Sequence, residues 1–353
     1  MKKLAFIVPT LIFLFFAGCN KNPTEPSPTP AGDLEGEVLT DFANVVVNPN
    51  YADLQVKASA LNQKVSALDT ASTDENLAAA QNAWRITRGA WETSEGYLFG
   101  PIEDFNYDPS IDTWPLNKTD LDSLLASANP LMVSDIDALP YSLKGFHAIE
   151  YILFGTAHAS QLTSREKQYL SSLTQSLYNT TAALRNSWDP ASGNFTGQLI
   201  DAGKGSERFA TRKDAFLAIV AAMSDICNEV ADEKMQDPLV AHDSTLDESA
   251  FSHNSTTDFT CNITGVANAY FGKYTSDGHG LNEIVAAQNI SLDNKIQAEL
   301  NAAIQSFGSI NSSYEEAIYS EQVQIHSTQN AINNLKNTLD EDLTNFIQAN
   351  IKD

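Results

Sequence analysis

Residues 77–98 read LAAAQNAWRITRGAWETSEGYL, with large apolar side chains every seven residues at Leu77, Trp84, Trp91 and Leu98. Ala80, Thr87 and Ser94 occupy the intermediate slots. Large residues alternating with small ones at this period describe one face of a helix packed into a bundle. The same period returns further along. Thr163-x-x-Glu166 has capping-box spacing behind Leu162, and Leu170, Leu173, Leu177 and Leu184 then lead to Trp188. Phe209, Phe216, Met223 and Val230 form another seam, and Ile318, Ile325, Ile332, Leu339 and Phe346 a last one, opened by Ser312-x-x-Glu315. No series of strands and hairpins interrupts them. The expected fold is all-α, built as two antiparallel helical-bundle domains. Residues 34–200 form the first and 201–353 the second, divided near 190–205, where DPASGNFTGQLIDAGKGS is rich in Asp, Gly and Ser.

The first residues read differently. Lys2 and Lys3 precede an apolar run from Leu4 to Phe16, and Ala17-Gly18-Cys19 follows. A basic start, a short apolar run and small residues before a cut describe an export signal over residues 1–18. The run falls short of the roughly 20 residues that span a bilayer. FAGCN resembles a bacterial lipobox, in which Cys19 becomes the lipid-modified N-terminus. Residues 19–33 then read as an extended, Pro-rich tether. The expected location is the bacterial cell envelope, periplasmic or surface-exposed, with a membrane as partner through the lipid.

Acidic residues outnumber basic ones 45 to 21, a formal net charge of −24, which argues against nucleic acid as a partner. An acidic surface attracts cations and also simply keeps a protein soluble. Cys227 and Cys261 are the remaining thiols. In an oxidising compartment they could form one disulfide.

Within KGFHAIEYILFG (144–155), His147 and Glu150 stand three apart. On a helix that is about 300° of rotation and about 4.5 Å of rise, so both side chains share a face. Imidazole and carboxylate suit divalent transition metals and ferric iron. A buried histidine hydrogen-bonded to a carboxylate, with no metal, satisfies the same spacing. A zinc-protease helix needs His-Glu-x-x-His, and no second histidine falls one turn on, while Tyr151 breaks the inverted form. Residues 104–115, DFNYDPSIDTWP, imitate a calcium loop through Asp104, Asn106, Asp108 and Asp112. Proline occupies both places where such a loop requires glycine and glutamate. Arg88, Glu92 and Glu95 flank the seam of the 77–98 helix. They read either as a surface Arg–Glu pair or as half-buried groups that bring Glu95 toward His147.

GFHAIE matches the Gly-x-His-x-x-Glu motif and resembles the imelysin-like proteins, historically classed as the M75 peptidases. WRITRGAWETSEGYLFGP, DTWPLN, ESAFSHNSTTDFTCNI and GHGLNEIV resemble that family's layout in the same order, and Cys19 fits its frequent lipoprotein form. The resemblance implies two helical bundles and an exported protein linked to iron acquisition, with iron-uptake components as partners. It also implies a metal or ligand site at His147 and Glu150 near the domain junction, with iron or another divalent metal as cofactor. Glu95 is the expected third donor, oriented by Arg88. Trp84, Arg88, Asp112, Trp114, Gly145 and Ser252 are the expected lining. Two other readings stand beside this one. The family's historical name suggests a metallopeptidase with Glu150 as base or ligand. A structural lipoprotein would use the His/Glu pair only to tie helices together.

Overall fold

The computed structural model describes residues 33–352. The expected export signal, Cys19 and the expected tether up to residue 32 lie outside the described residues. From Leu34 onward the chain packs as one compact unit. It is all-α, with no β-strand among the described residues. The stretch read as a boundary carries a short helix, Phe195–Ile200, whose Phe195 ring packs edge-on against Trp188 and Phe99.

Helix α1 (Asn48–Thr70) packs against both α2 (Asp74–Ser94) and α5 (Ser164–Trp188), with α3 (Tyr107–Asp112) and α4 (Gly145–Phe154) packed on α5. Helix α6 (Arg212–Asn228) and α7 (Ser255–Phe271) pack together, and α9 (Gln322–Asn337) lies against α6 and α8 (Ile290–Ser306). Helix α2 joins the two groups, touching α4 on one side and α7 on another.

The sequence explains α2 closely. Thr73 caps it by accepting a hydrogen bond from the Asn76 N–H, and Asp74 and Glu75 complement the dipole of its first turn. Leu77, Ala80, Trp84, Thr87 and Trp91 are buried as the period requires. The helix nonetheless stops at Ser94. Glu95–Tyr97 form a 3-10 turn, and Leu98 has extended backbone, so the fourth heptad position lies beyond the helix. The cause is a close crossing with α7. A Cβ on Gly96 would stand 2.4 Å from the Gly265 carbonyl carbon, and one on Gly265 would stand 2.1 Å from the Thr93 oxygen. Only two glycines allow backbones to meet this closely.

The capping box at α5 forms as expected, Thr163 and Glu166 bonding each other's backbone N–H. The last seam is less regular than its period. Ile318 belongs to a separate short helix, Tyr314–Ser320, and the chain breaks at Glu321 before α9. At that break the Glu321 carboxylate reaches back to accept from the N–H groups of Asn311 and Ser312, ahead of the short helix.

The anticipated disulfide does not form: Cys227 and Cys261 are both free thiols. Their surroundings keep them apart. Cys227 is buried near Lys336 and Asp340, whereas Cys261 faces α2, 3.7 Å from where a Cβ on Gly89 would lie.

Candidate metal centre

The site begins with a glycine. Gly145 opens α4 at φ +77°, and a Cβ there would lie 2.2 Å from the Ile111 carbonyl oxygen. This contact seats the end of α3, which carries Asp112, against the first turn of α4, which carries His147. His147 Nε2 is 3.0 Å from Asp112 Oδ1 and 3.8 Å from Glu248 Oε1. Nδ1, on the other edge of the ring, is 3.5 Å from Glu150 Oε2. Glu150 in turn accepts from the Ser252 N–H at 2.8 Å, and Arg85 donates to the Ser252 carbonyl. The segment 237–259 is thereby fastened to α4. Trp114 covers the imidazole at a ring separation of 4.7 Å and donates to the Leu246 carbonyl.

Arg88 is the electrostatic hub. Its side chain is fully buried and forms ion pairs with Glu92 and Glu248 at 2.6 Å, with Asp258 at 3.7 Å, and with Asp112. Trp91 Nε1 donates to the other oxygen of Asp112 at 2.6 Å. A second cation arrives from a different direction. A π-helical turn, Glu229–Lys234, follows α6 and points Lys234 at Glu95, 3.1 Å away, Glu229, 3.2 Å, and Glu248, 3.5 Å. Asn262 of α7 donates to Glu92 and Glu95, both at 2.7 Å.

Charge is unevenly met here. A cleft of about 340 Å³ is lined by Glu95, Asp108, Asp112, Glu229, Glu233, Asp237 and Glu248, with Lys234 as the one basic group of its lining. Burial and the neighbouring Glu92 hold the Glu95 carboxyl well above the ordinary range, against the pull of Lys234. Burial raises Glu92 and, with Glu92 beside it, Asp258. Asp108 is pushed up to about 7 by burial, Asp112 and Glu229. Asp112 and Glu248 differ. Burial works to raise both, but Arg88, His147 and Lys234 hold them below their usual values. For His147, burial and Arg88 press the pKa down, and contact with Asp112 and Glu150 overcomes them to hold it at about 9.

These residues fit a transition-metal ion. Asp112, His147 and Glu248 each present a donor atom, all within 4.8 Å of one another. Donors about 3–3.4 Å apart are what metal–ligand bonds near 2.1 Å impose, and the His147 separations of 3.0 and 3.8 Å bracket that spacing. The buried Nε2 also lacks a well-directed hydrogen-bond partner. A second group, Glu92, Glu95 and Asp112, meets the first at Asp112.

The residues singled out in the sequence are distributed as follows. His147, Glu150, Asp112, Trp114, Gly145 and Ser252 come together. Glu95 lines the same cleft but engages Lys234 and Asn262, leaving Asp112 and Glu248 beside the imidazole. Arg88 and Glu92 do pair, fully buried and not on the surface, and Arg88 holds Asp112 and Glu248 where it was expected to orient Glu95. Trp84 is fully buried, donates to the Phe146 carbonyl and packs on Phe146 and Phe154, so it supports α4 and is absent from the cleft's lining. Sequence reading passed over Glu248 and Lys234. Glu248 opens the ESAFSH stretch, but an isolated glutamate in an irregular segment has no local signature.

The family model for imelysin, also called peptidase M75, matches residues 47–344. Iron-regulated protein A of Synechococcus elongatus is 30% identical over 322 residues, covering 89% of this chain and 87% of that protein. Among solved structures, a protein from Parabacteroides distasonis described as an iron-regulated protein A precursor superposes with a TM-score of 0.79 at 23% identity, over 94% of this chain and 98% of that one. An imelysin-like protein from Psychrobacter arcticum gives 0.74 at 15% identity, over 88% and 94%.

Proposed function

The chain belongs to the imelysin family, and on that premise we propose that it is a lipid-anchored binding protein that captures iron ions at Asp112, His147 and Glu248. The observation that carries this reading is the convergence of those three donors at the edge of a carboxylate-lined cleft. Iron enters through the name of the Synechococcus relative and through the donor set, since imidazole and carboxylates suit ferrous and ferric ions. Glu150 fixes the ring through Nδ1, which directs Nε2 to the metal, and the Ser252 N–H holds Glu150 in place. Arg88 keeps Asp112 and Glu248 ionised and therefore able to ligate. A bound ion would supply the positive charge that the remaining carboxylates lack.

The peptidase reading has less support. Hydrolysis needs a carboxylate poised over an accessible water. Glu150 is fully buried and already occupied by Ser252 and His147.

Titration of chelator-stripped protein with Fe²⁺, Fe³⁺ and Zn²⁺ by calorimetry tests the site. His147→Ala and Glu248→Gln should each weaken iron binding by roughly 10- to 100-fold, the range for losing a metal ligand or its support. Equal, weak binding of every ion by wild type and both variants rules the reading out. The anchor rests on the Leu4–Phe16 run and the FAGC sequence. Mass spectrometry of the mature N-terminus should find a lipidated Cys19 in membrane fractions. Release of the protein as an unmodified soluble species would contradict the anchor.

A further inference from the structure

Beside the acidic cleft, and sharing Trp114 and Pro115 with it, lies a larger cavity of about 810 Å³. Its character is different. Trp114, Pro115, Leu116 and Phe251 give it apolar and aromatic walls, and Glu315 is part of its lining. The Glu315 side chain is only 9% exposed; neither of its oxygens accepts from an N–H or hydroxyl group, and its carboxyl shares a hydrogen bond with that of Asp247. The sole basic group paired with it among the described residues is His253, 3.2 Å away, whose side chain is 64% exposed. Asp247, fully buried, lies beside Glu315 and leaves its own Oδ1 without a donor. Asp247 accepts from Ser255 at 2.6 Å, and no Arg or Lys among the described residues pairs with either carboxyl group. Lys118, also in the lining, lies over the rings of Tyr151 and Phe251 and makes no ion pair with Glu315 or Asp247.

Two adjoining buried carboxyl groups served only by each other, Ser255 and one exposed histidine are costly to keep, and such a site invites a ligand that supplies N–H groups and positive charge. Aromatic walls next to such a carboxylate favour an organic cation over a hydrated metal ion. The Asp247–Glu315–His253 trio is also missing from the close-set metal-type groups among the described residues. We propose that this cavity is a second ligand site, taking an organic amine whose ammonium meets Glu315 and whose apolar body lies against Trp114 and Phe251.

This site stands apart from the iron reading, because none of its acidic groups belongs to the Asp112–His147–Glu248 set. The probe is phenethylamine, with phenylacetate as the anion of the same shape. Trp114 is the one tryptophan of four that is not fully buried, so its fluorescence reports occupancy. Metal-free protein should bind phenethylamine saturably and phenylacetate far more weakly. Glu315→Gln should cost about tenfold or more in affinity, the order for one charged hydrogen bond, and Phe251→Ala should also weaken binding. Urea midpoints of both variants identify any that fail to fold, and iron titration of Glu315→Gln should match wild type. The proposal fails if phenylacetate binds as tightly as the amine. It fails equally if folded Glu315→Gln keeps wild-type affinity, or if phenethylamine gives no saturable signal up to about 10 mM, well past millimolar affinity. Loss of iron binding in wild type would bear on the iron reading alone.

Discussion

Arg88→Ala is expected to lose about 3–5 kcal/mol of folding stability at neutral pH, the range for stripping one partner from a buried ion pair. The guanidinium is fully buried and is the shared counter-charge of Glu92, Asp112, Glu248 and Asp258. Removing it leaves four carboxylates facing one another in a low-dielectric interior. Lysine would not restore it, because one compact ammonium cannot present a planar fork to four acceptors. The pH dependence identifies the cause. In wild type Asp112 titrates below its ordinary value, so its stabilisation is present above an unfolded pKa of about 3.9 and fades as pH falls. In the variant Asp112 and Glu248 would instead titrate above their unfolded values, as Glu92 and Asp258 already do in wild type. Their penalty is absent at low pH and grows as pH rises. Urea denaturation from pH 4 to 8 should therefore show the two proteins closest at the acidic end. A constant gap across that range would mean that lost packing, not charge, explains the defect.

Gly145→Ala is the second large effect. The substitution places a methyl group 2.2 Å from the Ile111 oxygen on a residue at φ +77°. A clash and a left-handed strain combine, and a loss of roughly 2–4 kcal/mol follows. The damage should reach function as well, because relief requires α3 to move away from α4 and carries Asp112 from His147. Calorimetry should record at least about tenfold weaker iron binding, in line with disturbing a ligand's support. Gly308→Ala is the matched control. Nothing lies within 4 Å of a Cβ there, and a change within about 0.5 kcal/mol is expected. Equal, small effects at both positions would show that the tight contact at Ile111 is not structurally important.

Helices were legible because their evidence is local. Leu77, Trp84 and Trp91 mark α2 by period, and Thr163 and Glu166 mark the start of α5. The end of α2 was not legible, because Gly96 matters only when Gly265, far along the chain, crosses it. The site divides in the same way. His147 and Glu150 announce themselves by spacing within one helix. Their neighbours come from α3 and from the segment before α7, and nothing in the local sequence of Glu248 or Lys234 points to their meeting. Arg88 and Glu92 show a further limit. An Arg–Glu pair four residues apart has the same spacing on a wet surface and at the centre of a charge network. Only the number of surrounding carboxylates separates the two cases, and that number is a property of the tertiary fold.

Lys234 gives the cleft a built-in competitor. Its ammonium rests among Glu95, Glu229 and Glu248, so an ion ligated by Glu248 takes an oxygen already in use. Capture under the iron reading is thus an exchange of one cation for another, with the displaced ammonium still tethered 3.1 Å from Glu95. Such an arrangement lowers the net gain on loading and makes unloading correspondingly easy, because the lysine is on hand to refill the place. On the iron reading, the cleft trades the tightest grip its carboxylates could achieve for reversibility.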